Sequence, residues 1–288
     1  MDETATARIR WHLTHPLPLF EHLVLRTESH AYCGSLAFFA LMAFYPLCLL
    51  LLVVSRSLGA WVPAETVLQA TLREYYPEGQ AFLLRNLQVS VERYGREMTL
   101  PAVFWVLLGA AGVFVPLETA FNQLWSAKAH RPYWRNQAVG LLLTGACCAL
   151  AFLFVVTTAA LHALIGSLPL PLVASRALAH AALRLTALSL SVMAIFLFYR
   201  FLPNARIPAR SVFPAAVVAG VFAEAVRWLY LQFLPLLELV KSQGPYYVSI
   251  SFVLLVYFEA FVLLGGAFIA ARPGEPKVVE AVDPSRPA

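Results

Sequence analysis

Charge is what this sequence has least of. Asp, Glu, Lys and Arg supply 13% of its 288 residues, and apolar side chains supply 60%. A soluble domain carries about 25% charged residues, so that class is excluded. Cysteine is scarce as well. Cys33, Cys48, Cys147 and Cys148 all fall in or at the edge of long apolar stretches. That placement argues against a disulfide framework and leaves them as small buried hydrophobes. The motifs of soluble-enzyme chemistry are missing: there is no P-loop, GxGxxG, HExxH, GxSxG or CxxC, and so neither an enzyme site nor a cofactor is expected. Residues 1–31 hold no n-region running straight into a short apolar core and a cleavage site. The first apolar stretch is therefore expected to remain in the mature chain.

What fills the sequence is hydrophobic length. Six stretches, near Tyr32–Leu58, Leu100–Trp125, Ala138–Gly166, Leu178–Phe201, Ser211–Leu234 and Tyr247–Ala271, can each cross a hydrocarbon core roughly 30 Å thick. β-Barrel strands would be about ten residues long with alternating polarity, and these runs are neither. The predicted fold is all-α and polytopic: an interfacial segment over 1–31, a six-helix transmembrane domain over 32–271 and a disordered tail over 272–288.

The basic residues orient it. Arg8, Arg10 and Arg26 precede the first span; Lys128, Arg131 and Arg135 follow the second. Arg200, Arg206 and Arg210 follow the fourth; Arg272, Lys277 and Arg286 follow the sixth. The other side holds Arg73, Arg85, Arg93, Arg96, Arg176 and Lys241, and five glutamates offset the arginines of its first loop. By the positive-inside rule both termini are cytoplasmic. The net charge of +5 follows from this asymmetry and calls for no nucleic-acid partner.

The loop from Gly59 to Thr99 is the one sizeable extramembrane piece. Pro63 opens one helical pattern, and Leu83, Leu87, Val91 and Tyr94 repeat at helical spacing in a second,. Two short amphipathic helices on the outer membrane surface are expected, acting as a cap over the bundle or as a lid. Four histidines, His12, His15, His22 and His30, crowd the N-terminal segment. Their spacing, interrupted by Pro16 and Pro18, does not present one ligating face, so no metal is expected there.

Against this apolar background stand five ionisable groups inside spans: Glu118, Arg184, Glu224, Arg227 and Glu259. A charge at mid-bilayer costs about 2.5–3.5 kcal/mol on insertion scales, so each needs a partner or a task. Glu224 and Arg227, at i and i+3, share a helix face and can pair. They and Glu259 fall near the midplane, Arg184 in the outer half of the fourth span and Glu118 in the cytoplasmic half of the second. Pro46 and Pro116 lie inside spans, where freed carbonyls can line a cavity. The GAAG run at Gly109–Gly112 and the pair Gly265-Gly266 read as close-packing patches, with homo-oligomer contacts as a second use.

Three stretches carry a resemblance. Cys33–Leu47 reads CGSLAFFALMAFYPL, with Pro46 mid-span. Leu117–Pro132 reads LETAFNQLWSAKAHRP, with Asn122, Trp125 and Arg131 in order. From Phe198 the chain runs FYRFLPNARIPARSVFPAAVVAGVFAEAVRWLYLQF, through Pro203, and the last span closes on LLGGAF. Together these resemble the YihY/BrkB family of bacterial inner-membrane proteins over nearly the whole chain. The resemblance implies six helices, cytoplasmic termini and a link to envelope integrity, with Pro46, Asn122, Trp125, Arg131 and Pro203 as structural motif positions. The family also bears an older label, ribonuclease BN. The cytoplasmic acids here are scattered at the termini, however, and do not form the cluster that metal-dependent hydrolysis requires. Family members often close the last span on Gly-Ala-Glu. Here the stretch is Gly265-Gly266-Ala267, without the acid, and Glu259, eight residues earlier, is turned by about 80° from that position.

Two functions compete for the five groups. They can line a polar cavity through which a lipid-like or amphiphilic substrate moves. Arginine would then hold an anionic lipid headgroup while Glu224 and Glu259 balance charge or carry protons. Alternatively they are buried staples of a non-transporting scaffold whose outer loop binds envelope partners. The expected partners are membrane lipids in the first case and envelope proteins in the second.

Overall fold

Long apolar runs with few charges can satisfy their backbone inside a bilayer only as helices or as a closed barrel, and this chain uses helices. The computed structural model describes residues 10, 14–15, 17–25, 27–57, 68, 72, 80–127, 131–167, 172–205, 207–237 and 246–271. Its long helices are α1 (Thr27–Ser57), α2 (Gln80–Tyr94), α3 (Thr99–Leu124), α4 (Tyr133–Ser167), α5 (Leu172–Phe201), α6 (Ala209–Phe233) and α7 (Tyr247–Ala271). A single α turn at Leu17–Phe20, continued in π geometry over Glu21–Leu25, leads into α1. Among the described residues there is no strand. All of these long helices except α2 are long and apolar enough to cross a membrane. The helix expected after Pro63, His12 and the tail over 272–288 lie outside the described residues.

Six alternating spans bring the start of α1 and the end of α7 to one face of the bundle, the termini face. The segment carrying α2 lies at the other, the loop face. Leu87 and Val91, from the repeat seen in the sequence, are buried with Cys48, Leu49 and Leu52 of α1. Thus α2 lies against the bundle through the apolar side of its repeat. Pro46, Pro116 and Pro214 sit inside α1, α3 and α6 without ending them.

Lipid tails are as apolar as leucine, so helix association here depends on close contact of small residues. α1 and α3 share the most extensive interface. At Gly112 a Cβ would collide with the Phe39 ring. A second seam joins α6 to α7, where Ala215, Ala216, Ala219 and Ala223 are buried on one helix and Gly265, Gly266, Ala267 and Ala270 on the other, while Gly220 of α6 lies against Val192 of α5. Tyr199 of α5 closes this seam. Fully buried, its hydroxyl donates to the Leu263 carbonyl at 2.7 Å, and a Cβ on Gly266 would run into that hydroxyl and into Ala219.

The two halves of the bundle pack differently. Toward the termini face one continuous cluster joins Cys33, Leu36, Phe114, Phe121, Tyr199, Val212 and Phe268 from five helices. Toward the loop face the core splits into two smaller clusters, one around Leu49 and Leu87 and one around Tyr230 and Leu255. The hairpin of α4 and α5 is the least buried part of the bundle. It is joined to α3 on one side and to α6 on the other.

Gly266→Val should lower the stability of the detergent-solubilised protein by about 1–3 kcal/mol, the usual cost of overpacking. Gly34→Ala, where a Cβ meets nothing within 4 Å, should leave the melting temperature unchanged. Equal melting temperatures for both variants would contradict the close approach at Gly266.

Candidate functional site: an ion-bridged layer between two cavities

Glu259 occupies the central position of the 25-residue helix α7, and α6 brings Arg227 against it. The guanidinium donates from Nε to Glu259 Oε1 at 2.9 Å and from Nη1 to Glu224 Oε1 at 2.6 Å; Nη2 also lies 2.9 Å from Glu259 Oε1. Three of its nitrogens therefore face carboxylates. The side chains are largely withdrawn from solvent, at 14% exposure for Arg227 and 27% and 29% for Glu224 and Glu259. The contact with Glu224 is the i, i+3 pair expected from its spacing, and the contact with Glu259 joins two helices.

This layer separates two cavities. One, of about 420 Å³, lies toward the loop face between Phe44, Leu150, Phe154, Ala187, Phe252 and Leu255, and Leu68 and Leu72 of the first loop also line it. The other, of about 250 Å³, lies toward the termini face among Leu36, Ala40, Val113, Leu117, Phe198 and Leu263. Ser191, Ala194, Arg227, Val256 and Glu259 line both, and Arg227 and Glu259 are the only charged residues among the described linings. Both are thus apolar chambers with one shared polar floor. That is the usual make-up of a site for a largely apolar ligand with a charged end.

A second polar assembly lies at the termini face, where α3 ends. Trp125, Ser126 and Ala127 close the helix: Ser126 N–H donates to Gln123 O, Ala127 N–H donates to Asn122 O, and Ser126 stands at a φ of 50°. This pair of bonds is a Schellman cap, with serine where glycine is usual. The turn places Arg131 beneath α5. Its guanidinium donates to the carbonyls of Phe201 at 3.3 Å, Leu202 at 3.5 Å and Pro203 at 3.0 Å. These are carbonyls left over at a helix C-terminus, where the backbone dipole favours a cation. Asn122 accepts from the Asn204 N–H at 2.7 Å and reaches Glu118 Oε1 at 3.4 Å. Trp125 packs edge-on to Phe121 and lies 6.2 Å from the Tyr199 ring.

Asn122, Trp125, Arg131 and Pro203 are thus one contiguous knot tying the end of α3 to the end of α5, and they are the residues in which the sequence resemblance is concentrated. A family profile, Virulence factor BrkB, matches residues 24–286. The chain belongs to the BrkB family. It is similar to a UPF0761 membrane protein of Chromohalobacter salexigens, 26% identical over 94% of this chain and 66% of the relative. It is also similar to one of Pseudomonas aeruginosa, 29% identical over 67% of this chain and 49% of the relative. A third, from Acinetobacter baylyi, is 25% identical over 85% and 53%. The chain thus spans about half to two thirds of the length of the curated relatives it matches. No solved structure matches.

Of the five intramembrane groups in this BrkB-family chain, the structure brings Glu224, Arg227 and Glu259 together and leaves the other two elsewhere. Arg184 is exposed on α5, seven residues or about two turns toward the loop face from Ser191, and lines neither central cavity. Glu118 is 6% exposed and faces α4. Ala267, where the resemblance led to the expectation of an acid, is fully buried against the small-residue seam. Its neighbour Gly266 leaves no room beside Tyr199. Among the described residues no group of three or more His, Cys, Asp and Glu is arranged to hold a metal.

The sequence did not single out Ser191 or Asn136. Ser191 faces both central cavities from α5. Asn136 is the fourth residue of α4, and its Oδ1 is buried with no hydrogen-bond partner. The only signal for either was a polar residue on the inner face of a span, which serine and asparagine share with many packing positions.

Removing one partner of a buried ion pair costs about 3–5 kcal/mol, because the other charges are left behind. Arg227→Met should therefore destabilise the protein on that scale, as measured by thermal unfolding in detergent. The triple variant Glu224→Gln, Arg227→Met, Glu259→Gln should recover most of the loss. Arg131→Lys should also destabilise, because an ammonium cannot spread over three carbonyls as a guanidinium fork does. An unchanged melting temperature for Arg131→Lys would show that the knot contributes nothing.

Proposed function

We propose that this BrkB-family protein is an inner-membrane transporter. It would move a lipid-like or amphiphilic substrate between the two apolar chambers past the Glu224–Arg227–Glu259 layer, and so support envelope integrity. One observation carries this reading: a single charged layer is the floor of both cavities, and each cavity is otherwise lined almost wholly by apolar side chains. An acyl chain fits such walls, and an anionic headgroup fits a guanidinium. To engage Arg227 the headgroup competes with a carboxylate for the same N–H donors, so binding and release of Glu224 or Glu259 are one event. The freed carboxylate then takes a proton or a cation. No bond in the substrate is broken, and the protein acts without enzymatic chemistry.

The wall that moves is the α4–α5 hairpin, which is lightly packed and supplies Ala151, Phe154, Ser191 and Ala194 to the chambers. Both termini face the cytoplasm in this reading, on the strength of the Lys and Arg asymmetry. The larger chamber then faces outward beneath Leu68 and Leu72. A second reading, a non-transporting scaffold whose outer loop binds envelope proteins, is favoured by one fact: Nε, Nη1 and Nη2 of Arg227 are all engaged, as a staple requires.

Vesicles reconstituted with the protein and fluorescent headgroup-labelled envelope phospholipids separate the two. Transport requires that the parent protein expose inner-leaflet lipid to an external quencher and that Glu224→Gln slow this at least about tenfold, equivalent to 1.4 kcal/mol of barrier. The scaffold requires no movement in the parent for any envelope lipid offered, with envelope integrity in cells surviving the charge-free triple variant. Movement unaffected by Glu224→Gln would sink the proposed role of the layer.

A further inference from the structure

Between α3 and α4, away from the two central chambers, lies a cavity of about 170 Å³ lined by Glu118, Asn136, Gln137 and Thr144 on an otherwise apolar wall. The volume is enough for an ion with a few of its waters, each water occupying about 30 Å³. Each of its four polar side chains carries an oxygen, and one of them is a carboxylate. Glu118 is 6% exposed and accepts a long hydrogen bond, 3.4 Å, from Asn122 Nδ2. Asn136 Oδ1 is buried without a hydrogen-bond partner. The Thr144 hydroxyl gives its proton to the Gly140 carbonyl at 2.8 Å, so its lone pairs remain for the cavity. No Lys, Arg or His stands among the described lining residues. Arg131, the nearby base, is directed at the end of α5.

A buried carboxylate and an orphaned amide oxygen lining one cavity are the ligand chemistry of a hard cation, which takes oxygen and little else,. One carboxylate balances one positive charge, which selects a monovalent ion. The geometry points to a sodium ion bound between α3 and α4 by Glu118 and Asn136 Oδ1, with Gln137 able to add a further oxygen and waters, one of them held by Thr144, completing the shell. The ion would clamp the hairpin helix α4 to α3. The assignment does not depend on transport, because it concerns a different cavity and is read by binding alone.

The test uses the full chain in detergent at constant ionic strength, with choline chloride as the replacement salt. Radioactive sodium should bind saturably at close to one ion per chain, and sodium should raise the melting temperature more than choline or potassium does. Glu118→Gln should abolish both effects. Asn136→Ala should weaken binding about tenfold or more, as loss of one supporting oxygen does at metal sites. Glu92→Gln, exposed on α2, should bind as the parent does. If Glu118→Gln does not fold, Asn136→Ala decides, and unchanged affinity there overturns the site. A uniform response to sodium, potassium and choline, or no saturable binding by the parent, means the cavity holds water alone and also overturns it.

Discussion

A guanidinium held between two carboxylates in a low-dielectric interior is the interaction on which the centre of this protein depends. Isolated, each of the three charges would be expelled toward water or neutralised. Together they make a layer stable enough to remain in a bundle that has no hydrophobic force to hold its helices together. The layer joins α6 to α7 and forms the floor of both chambers. The continuous core toward the termini face and the split core toward the loop face meet at its level. The same charges that would be a liability in lipid therefore define where the bundle is open.

The fold was legible because bilayers allow few solutions. Hydropathy and length placed six helices, with C-terminal ends within one residue of those observed and three N-terminal ends five or six residues late, and the i, i+3 spacing of Glu224 and Arg227 anticipated their contact. The link to Glu259 was not legible, because depth alone put Arg227 level with it and Arg184 farther out without saying which helices meet. That is a matter of tertiary packing. Glu118 was visible as a charge, but its surroundings were not. The cavity beside it exists because the Schellman turn at Ser126 returns the chain so that the first turns of α4 lie against α3. Periodicity says nothing about such a turn when serine stands in the place of glycine.

The family motif has a physical reading that differs from a ligand site. The Asn122 oxygen and the Arg131 guanidinium are spent on backbone atoms at the end of α5, and Trp125 packs near the Tyr199 ring. These residues hold the end of a helix that would otherwise present unsatisfied carbonyls near the membrane boundary. A motif built this way reports on architecture. The charged layer, by contrast, touches the cavities, and the chemistry of the protein is to be sought there.

The alanine and glycine seam between α6 and α7 has a mechanical consequence. Side chains that short have no rotamers with which to absorb sliding, so the two helices travel as one body and carry Arg227 and Glu259 with them. The backbones that carry those two residues then keep one spacing, whichever partner the guanidinium holds. Any change of shape has to be taken up by the helices around it, and α4, which meets neither α6 nor α7 in an extensive interface, is the one least tied to the seam.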